Sequence, residues 1–478
     1  MGHLVAQVEL ARHLVAHHPR LSVAVLIPKL PVTDTNLDSY LRSAALPDDG
    51  RISLLELPPL ENPPPPEEWS SKRPFFVVNL FASLYKPVVK RVVENRRRRT
   101  FGILTDMVIT QFVDVAEDLG VPSYVFFTSG ANMLAMMFQL ESRGVDAPSV
   151  FGDLPPDLAP LKVPGFQNPI PMKVWPEIFL NEENSAQFLS HATRYRKTNG
   201  ILVNTFEELE SEILLSLSSD ERIPPVYSVG AVLHLGRQNA KDVDDHDING
   251  RDHLILNWLD AQPPASVVFL CFGSVGSFGK VQVEQIAAGI ERSGHRFLWS
   301  LRRQPNSDKG ERLPSDYNDF EEALPTGFLD RMASVGMMIG WAPQADVLAH
   351  PAVGAFVSHC GWNSVLESLK FGVPVVTWPM YAEQQLNAFS MVRELGIAVE
   401  LRMDYRYDVV ERKANVVVTA EEVKRGIRMM MEEEEGAAAR SKVKEMCEFA
   451  NKALEVGGSS HKSLHLFTQD LIKNLSMN

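Results

Sequence analysis

The residues best suited to chemistry lie in one continuous segment, from Trp341 to Gln384, which reads WAPQADVLAHPAVGAFVSHCGWNSVLESLKFGVPVVTWPMYAEQ. An apolar run ending at Ser358 predicts a buried strand, and a helix is expected to begin near Ser364. A helix that starts at a strand end presents unpaired backbone N–H groups and a positive dipole end, which together bind phosphate without a metal. Gly361 would let the backbone approach such a ligand closely.

Several side chains in this segment have two interpretations. One turn into the predicted helix, Glu367 could accept hydrogen bonds from vicinal ribose hydroxyls. Taken singly, Trp341 and Trp362 fit core packing, Glu367 fits an exposed helix residue, and His359 fits a structural imidazole. The helix start therefore predicts a phosphate site, while the side chains alone leave the choice open.

A glycine-rich stretch, Phe272 to Gly279, is a second phosphate-binding candidate because it follows a predicted strand and precedes a helix near Lys280. Its small residues permit a tight turn toward a diphosphate. The competing interpretation is a dinucleotide-binding turn, in which Arg302 and Arg303 would suit an NADP phosphate. The glycine spacing does not fit G-x-G-x-x-G, however, and an oxidoreductase would leave the Trp341 segment unexplained.

Two candidates for proton transfer stand far apart in the sequence: His3, in MGHLV, and Asp106, in LTDM after a predicted strand. Histidine titrates near neutrality and suits a general base, and a carboxylate can orient the imidazole and balance its charge. Spacing does not pair them. His3 also fits a frayed terminal residue, and Asp106 fits a helix N-cap ahead of Val108.

The length, net charge and composition of the chain limit the classes of protein to which it could belong. A chain of 478 residues is too long for one ordinary core and predicts two domains. The net charge of −13 argues against a nucleic-acid partner, and the basic run 96–99 is interpreted as a solvated helix end. The absence of a long apolar run or a leader-like N-terminus predicts a cytoplasmic chain that does not insert in membranes. The three cysteines lack metal-ligand spacing, so no metal site is expected.

The positioning elements follow an α/β pattern, in which short apolar runs alternate with helical stretches. Strands are predicted in the first half at 21–27, 52–57, 102–105 and 123–127, with helices at 75–95 and 108–119. Strands of the second half are predicted at 266–274, 296–301, 337–341, 353–358 and 373–378. The polar stretch 233–252 is predicted to link an acceptor-binding domain, 1–232, to a donor-binding domain, 253–478, whose last helices return to the first. Facing sheets of this kind bind ligands at the carboxyl ends of their strands, where the motifs lie.

From end to end, the segment Trp341–Gln384 resembles the signature box of plant secondary-product UDP-glycosyltransferases, which are family 1 glycosyltransferases. The resemblance implies the GT-B fold, with two facing doubly wound Rossmann-like domains. It also favours the nucleotide-sugar interpretation of the box residues over core packing. The implied donor contacts are Trp341 on uracil, Ala342 and Gln344 near the uridine, His359, Asn363 and Ser364 on the diphosphate, Glu367 on the ribose, and Trp362, Glu383 and Gln384 at the sugar.

Outside the box, the resemblance places Ser274 near the phosphates and Thr128 near the sugar, and it assigns catalysis to His3 with Asp106. Gln384 and Trp362 favour glucose, since relatives with other donors carry histidine or arginine at these places. The implied function is inverting, metal-independent transfer of glucose from UDP-glucose to a hydroxyl of a small lipophilic acceptor, such as a phenol or flavonoid. No cofactor is implied, and a monomer is expected.

One departure from the family pattern concerns the start of the chain. Relatives have a further strand before the Gly-His turn, whereas this sequence begins at the turn itself. Loss of a central strand is expected to expose neighbouring apolar edges and leave His3 poorly held. A truncated sequence is the favoured interpretation, and a catalytically impaired UDP-sugar-binding protein is the alternative function.

Overall fold

The computed structural model describes residues 2–28, 40, 46, 49–69, 74–95, 101–143, 160–180, 182–235, 246–306, 311 and 313–476. The basic run 96–99 and residues 236–245 of the predicted linker lie outside the described residues. The remaining part of that polar stretch is partly helical, because a helix spans His246–Asp260. The proposed division of the chain into 1–232 and 253–478 stays a prediction.

The first half contains parallel strands connected by helices, as the sequence predicts. One parallel sheet pairs β1 with β2, and a second has the order β3-β4-β5-β6. The strands are β1 (Val23–Ile27), β2 (Ile52–Glu56), β3 (Ile103–Asp106), β4 (Ser123–Phe127), β5 (Ile201–Val203) and β6 (Val226–Ser228). The helices are α1 (Gly2–His17), α2 (Pro74–Glu94), α3 (Gln111–Leu119), α4 (Ala131–Ser142), α5 (Glu182–Tyr195) and α6 (Glu207–Ser218).

The second half is built on a six-stranded parallel sheet of order β11-β8-β7-β12-β13-β14. Its strands are β7 (Val267–Cys271), β8 (Arg296–Ser300), β11 (Gly336–Ile339), β12 (Val353–Ser358), β13 (Val375–Thr377) and β14 (Ala398–Glu400). Two short antiparallel pairs lie outside it: β9 (Arg302–Arg303) with β10 (Ser315–Asp316), and β15 (Tyr407–Asp408) with β16 (Lys413–Ala414). The helices are α7 (His246–Asp260), α8 (Lys280–Ser293), α9 (Phe328–Met332), α10 (Gln344–Leu348), α11 (Trp362–Phe371), α12 (Gln384–Phe389), α13 (Ala420–Glu432), α14 (Glu434–Ala453) and α15 (Ser459–Ser476).

Several element ends differ from the predictions, each for a local reason. The helix expected from Val108 begins at Gln111, because the Asp106 carboxylate accepts the Val108 N–H at 3.0 Å and closes a turn first. The strand expected to reach Ser274 ends at Cys271, because Gly273 turns the chain with φ +73°. The three-residue strands β5, β6 and β14 were not predicted.

Helix α1 holds the two sheets of the first half together. Its side chains at Ala6, Leu10 and Leu14 recur every four residues and pack on the core of the β3–β6 sheet. A second stripe, Ala11 and Val15, packs against β1 and β2. The helix that carries His3 therefore spans the two sheets, which are not hydrogen-bonded to one another in the described residues.

Helix α2 covers the same junction from another side. Leu26 of β1 and Ile103 of β3 both join the apolar cluster around Phe81 and Tyr85 of α2. The expected exposure of apolar side chains next to β1 and β3 is therefore not found at these two positions. None of the helices in the described ranges combines the length and apolar character that spanning a bilayer takes.

Leu10→Ala tests whether α1 is held by this apolar packing. Leu10 is fully buried, so truncation leaves a cavity that costs about 2–5 kcal/mol and lowers the thermal midpoint by about 5 °C or more. The matched control is Leu466→Ala in α15, whose side chain is 56% exposed and whose loss costs about 0.5 kcal/mol or less. Thermal unfolding followed by circular dichroism compares them, and equal midpoints would show that α1 is not anchored by Leu10.

Candidate active site

His3 and Asp106 meet where β3 ends and α1 begins. The His3 Nδ1 atom lies 3.0 and 2.9 Å from the two carboxylate oxygens of Asp106. Asp106 also accepts hydrogen bonds from the Val108 N–H at 3.0 Å and from the Gln7 amide at 3.3 Å. His3 is thus held by a buried carboxylate, contrary to the expectation that it would be poorly held.

The electrostatics of the pair suit proton transfer. Burial lowers the pKa of His3, but the charge and hydrogen bond of Asp106, together with the charge of Glu383, leave that pKa above its ordinary value. Burial raises the pKa of Asp106, yet the His3 charge and the hydrogen bonds it accepts lower it overall. The imidazole lies deep among surrounding atoms, while 53% of its side-chain surface is still open to a ligand. With Nδ1 bound to Asp106, Nε2 is the nitrogen that can accept a proton.

The residues directly after β4 connect this pair to the second half. The Thr128 hydroxyl lies 3.2 Å from His3 Nδ1, so it contacts the His3 imidazole directly. The Ser129 hydroxyl donates to Glu383 across 3.3 Å. Ser129 was not singled out in the sequence, where its position just after a predicted strand is the one signal that could have identified it.

The start of α11 lies where the sequence predicts a phosphate site. The helix begins at Trp362, two residues earlier than expected, with Gly361 as its N-cap. The His359 ring is wedged between two glycines, since a Cβ added at Gly273 or Gly361 would lie 2.6 Å from its Nε2. Ser274 follows Gly273 in the glycine-rich loop and is exposed.

Two buried polar atoms at this helix start lack hydrogen-bond partners in the described residues: His359 Nδ1 and Asn363 Oδ1. Burial lowers the pKa of His359 to about 4, so the imidazole is neutral near pH 7 and can donate without carrying charge. Buried polar groups are nearly always paired in proteins, and unpaired ones at a helix start indicate a ligand site. A Cβ added at Gly2 would lie 3.5 Å from Asn363 Nδ2, which places the His3 turn next to this site.

The predicted uridine end is arranged around Glu367. The Gln344 amide donates to the Glu367 carboxylate at 2.7 Å and to the Ser364 hydroxyl at 2.8 Å. Burial raises the pKa of Glu367 to about 7, although the Gln344 hydrogen bond partly opposes it. Trp341 exposes 49% of its surface, whereas the Ala342 side chain is buried, so a ligand contact from Ala342 would come from its backbone.

At the predicted sugar end, the three side chains have different surroundings. The Trp362 indole N–H donates to the Asn204 carbonyl at 2.7 Å, and its ring packs so closely on Gly130 that an added Cβ would lie 2.8 Å away. The buried Gln384 oxygen accepts two backbone N–H groups of its own loop at 2.9 Å each. Glu383, by contrast, directs its carboxylate toward Ser129 and the His3 region.

A buried polar network that the sequence did not reveal joins the two halves behind this site. The Asn132 amide donates to Asn387 at 3.2 Å and to Ser390 at 3.1 Å, and Asn387 donates to the Cys360 carbonyl at 3.0 Å. Glu210 accepts the first two N–H groups of α4 at 2.8 Å each. Asn132, Asn387 and Ser390 thus fix α4 against the second half of the chain, close to the start of α11.

The competing oxidoreductase interpretation has no support in the structure. Arg302 forms an ion pair with Asp316 and Arg303 forms one with Glu311, so each guanidinium already has an acidic partner. In the described part of the chain, no three His, Cys, Asp or Glu side chains are grouped so that they could hold a metal. Burial raises the pKa of all three cysteine thiols.

Known proteins resemble this chain along nearly its whole length. The family model described as UDP-glucoronosyl and UDP-glucosyl transferase matches residues 235–427. UDP-glycosyltransferase 71A15 of Malus domestica is 46% identical over 98% of this chain and 96% of its own. UDP-glucose flavonoid 3-O-glucosyltransferase 6 of Fragaria ananassa is 44% identical, again over 98% of this chain and 96% of its own.

The fold agrees with these sequence matches. The structure of Medicago truncatula UGT71G1 complexed with UDP-glucose superposes with a TM-score of 0.85 at 39% identity, covering 98% of this chain and 96% of that one. Its two-domain GT-B architecture is the one that the sequence predicted and that the two groups of parallel sheets form here. By sequence and by fold, this chain belongs to the plant UDP-glycosyltransferases of glycosyltransferase family 1.

Proposed function

We propose that this chain transfers glucose from UDP-glucose to a hydroxyl group of a small lipophilic acceptor, with inversion at the anomeric carbon. One observation carries the proposal: the His3–Asp106 pair lies next to the start of α11, where His359 and Asn363 have buried polar atoms that no group in the described ranges pairs. A base and an anion site side by side are what a displacement with a diphosphate leaving group needs.

In the proposed reaction, the acceptor oxygen attacks the anomeric carbon as the bond from that carbon to the diphosphate breaks. The acceptor proton passes to His3 Nε2, and Asp106 stabilises the imidazolium that forms. The bonding electrons leave with UDP, whose charge is stabilised by the N–H groups at the start of α11 and by the neutral His359. The product is the inverted glucoside, and His3 returns its proton to solvent.

The other donor contacts follow the same geometry. Trp341 offers an open aromatic surface for uracil, and Glu367 with Gln344 offers hydrogen-bonding atoms for the ribose. Ser364 and Ser274 would complete the diphosphate site. Thr128, Glu383 and Gln384 would bind the sugar, and the Trp362 side chain would act by holding the wall behind it. We propose that these fixed dipoles replace a metal, and that the monomeric, cytoplasmic protein needs no cofactor.

The acceptor is proposed to be a phenol or flavonoid, as the name of the Fragaria ananassa relative indicates for that protein. The rival function, a UDP-sugar binder without turnover, is not favoured, because relatives named as glucosyltransferases match the chain almost throughout. Incubation with UDP-glucose and a panel of phenols, followed by chromatography and mass spectrometry, should give glucosides in parallel with UDP release. Binding of UDP-glucose without any glucoside would instead support the rival.

His3→Ala should lower kcat by roughly 10²- to 10⁴-fold, the usual contribution of a general base. The affinity for UDP-glucose, measured by calorimetry, should change less than threefold, since His3 binds Asp106 rather than the predicted diphosphate site. Substantial residual transfer in His3→Ala, at more than a tenth of the wild-type rate, would rule out this base.

Asp106→Asn tests the role of the carboxylate through pH. Asp106 raises the pKa of His3, and His3 must be neutral to accept a proton, so kcat/KM should rise as pH increases through a midpoint above 6.5. Without the negative charge, the His3 pKa falls, and we expect the midpoint to move to lower pH while the plateau rate decreases. An unchanged midpoint would show that Asp106 does not control this titration.

We expect the affinity for UDP-glucose to depend on pH through the ionisation of Glu367. Its pKa of about 7 means that the empty site is largely protonated at pH 6, whereas ribose hydroxyls bind the ionised carboxylate best. Affinity for UDP-glucose should therefore be about tenfold weaker at pH 6 than at pH 8. UDP-glucose is the right probe because both of its phosphates are diesters that stay ionised. Calorimetry on Glu367→Gln should show the pH dependence lost, and a flat wild-type profile would contradict the assignment.

A further inference from the structure

The exposed indole of Trp341 has one surface already occupied. The Arg302 guanidinium carbon lies 5.1 Å from the Trp341 ring centroid, within the range of a cation–π contact. Trp341 is 49% exposed, so the ring keeps a large area open to solvent. A pyrimidine base can stack on the indole because one face of the ring is free, while the Arg302 guanidinium holds the ring from the other face.

Two contacts of its side chain fix Arg302 in place. Its Nε lies 2.9 Å from a carboxylate oxygen of Asp316 in an ion pair, and its Nη2 donates to the Pro314 carbonyl at 2.7 Å. Asp316 is the register partner of Arg302 in the short β9–β10 pair and also binds Arg251 at 2.8 Å. Only 12% of the Arg302 side-chain surface is exposed.

The support reaches the backbone that carries the indole. A Cβ added at Gly340, the residue before Trp341, would lie 2.3 Å from the Asp316 carboxyl carbon. Asp316 therefore packs directly on the chain at the end of β11 while it holds Arg302. The ion pair, the guanidinium and the indole form one continuous stack beside the cleft.

We infer that Arg302 is a positioning residue for the nucleotide: it fixes the Trp341 ring in the orientation in which a pyrimidine base stacks on its open side. This inference rests on the proposed function, since it requires that Trp341 binds uracil. Arg302 does not touch the reacting atoms. It holds the Trp341 indole in one orientation before the nucleotide binds, so that less side-chain entropy is lost on binding.

The expected effect is a loss of affinity for the nucleotide without a loss of chemistry. Immobilising one side chain in advance corresponds to about a three- to tenfold gain in affinity, so Arg302→Ala should weaken UDP binding by that factor. The KM for UDP-glucose should rise by a similar factor while kcat stays within twofold of wild type, because the contact is the same in the ground and transition states. Arg303→Ala is the matched control, since Arg303 binds Glu311 and Ser315 instead.

A double-mutant cycle separates positioning from a general effect of charge or folding. In a Trp341→Ala background, Arg302→Ala should change UDP affinity less than twofold, because the ring that Arg302 supports is gone. Arg302→Lys keeps the charge but lacks the planar guanidinium, and it should remain at least threefold weaker than wild type. If Arg302→Ala fails to fold by circular dichroism, Arg302→Lys supplies the same cycle.

The outcomes distinguish this inference from the proposed function. No calorimetric binding of UDP to the wild type would overturn the proposed function and the inference with it. Binding that Trp341→Ala weakens, combined with an equal Arg302→Ala loss in both backgrounds, would overturn the inference alone. Full recovery by Arg302→Lys would also overturn it, because charge rather than orientation would then be responsible.

Discussion

The proposed reaction depends on the contact between the Trp362 indole and the backbone at Asn204. That hydrogen bond, 2.7 Å long and buried, ties the first residue of α11 to the half of the molecule that carries His3. Removing it would leave a buried carbonyl unpaired, which costs about 1–3 kcal/mol. Because the proposed base lies on one half and the proposed anion site on the other, the displacement would require their separation to be fixed within fractions of an ångström. The Asn132–Asn387 bond strengthens the same junction.

Two histidines in one site acquire opposite properties from their surroundings. His359 is buried between glycines, and burial lowers its pKa to about 4, so it works as a neutral dipole. His3 is also set deep, but two carboxylates, Asp106 and Glu383, raise its pKa overall. In a chain with a net charge of −13, the proposed diphosphate site therefore relies on local dipoles, and the proposed proton acceptor relies on nearby carboxylates.

The extent to which sequence could predict this structure depends on how local each feature is. Strands with apolar runs of five or six residues, such as β4 and β12, were predicted to the residue, whereas the three-residue strands β5 and β14 carry too little pattern to detect. The box residues lie within one segment, so the helix start predicted a phosphate site there, and the family resemblance implied the roles of the other side chains.

Features that join distant parts of the chain could not be derived from residue spacing, and the pairing of His3 with Asp106 came from the family resemblance alone. Nothing in the spacing of His3 and Asp106, 103 residues apart, indicates that they touch. The Gly2–Asn363 proximity, the Ser129–Glu383 bond and the Glu210 cap of α4 depend likewise on how the sheets are placed. The orientation of Trp362 also could not be predicted, because an indole after a strand end suits a ligand contact and a packing contact equally.

The position of His3 depends on apolar packing more than on strand pairing. In the described residues, β1 and β3 belong to separate sheets, and no ladder of hydrogen bonds connects them. Helix α1 nevertheless has two apolar stripes, one on each sheet, and its first two turns present His3 and Gln7 to Asp106. Since side-chain packing is less directional than backbone pairing, the Asp106 contacts supply the precision that the helix alone would lack. The His3–Asp106 contact, which the proposed reaction uses, therefore also has a structural role, because the carboxylate that orients the imidazole helps to fix the start of the helix.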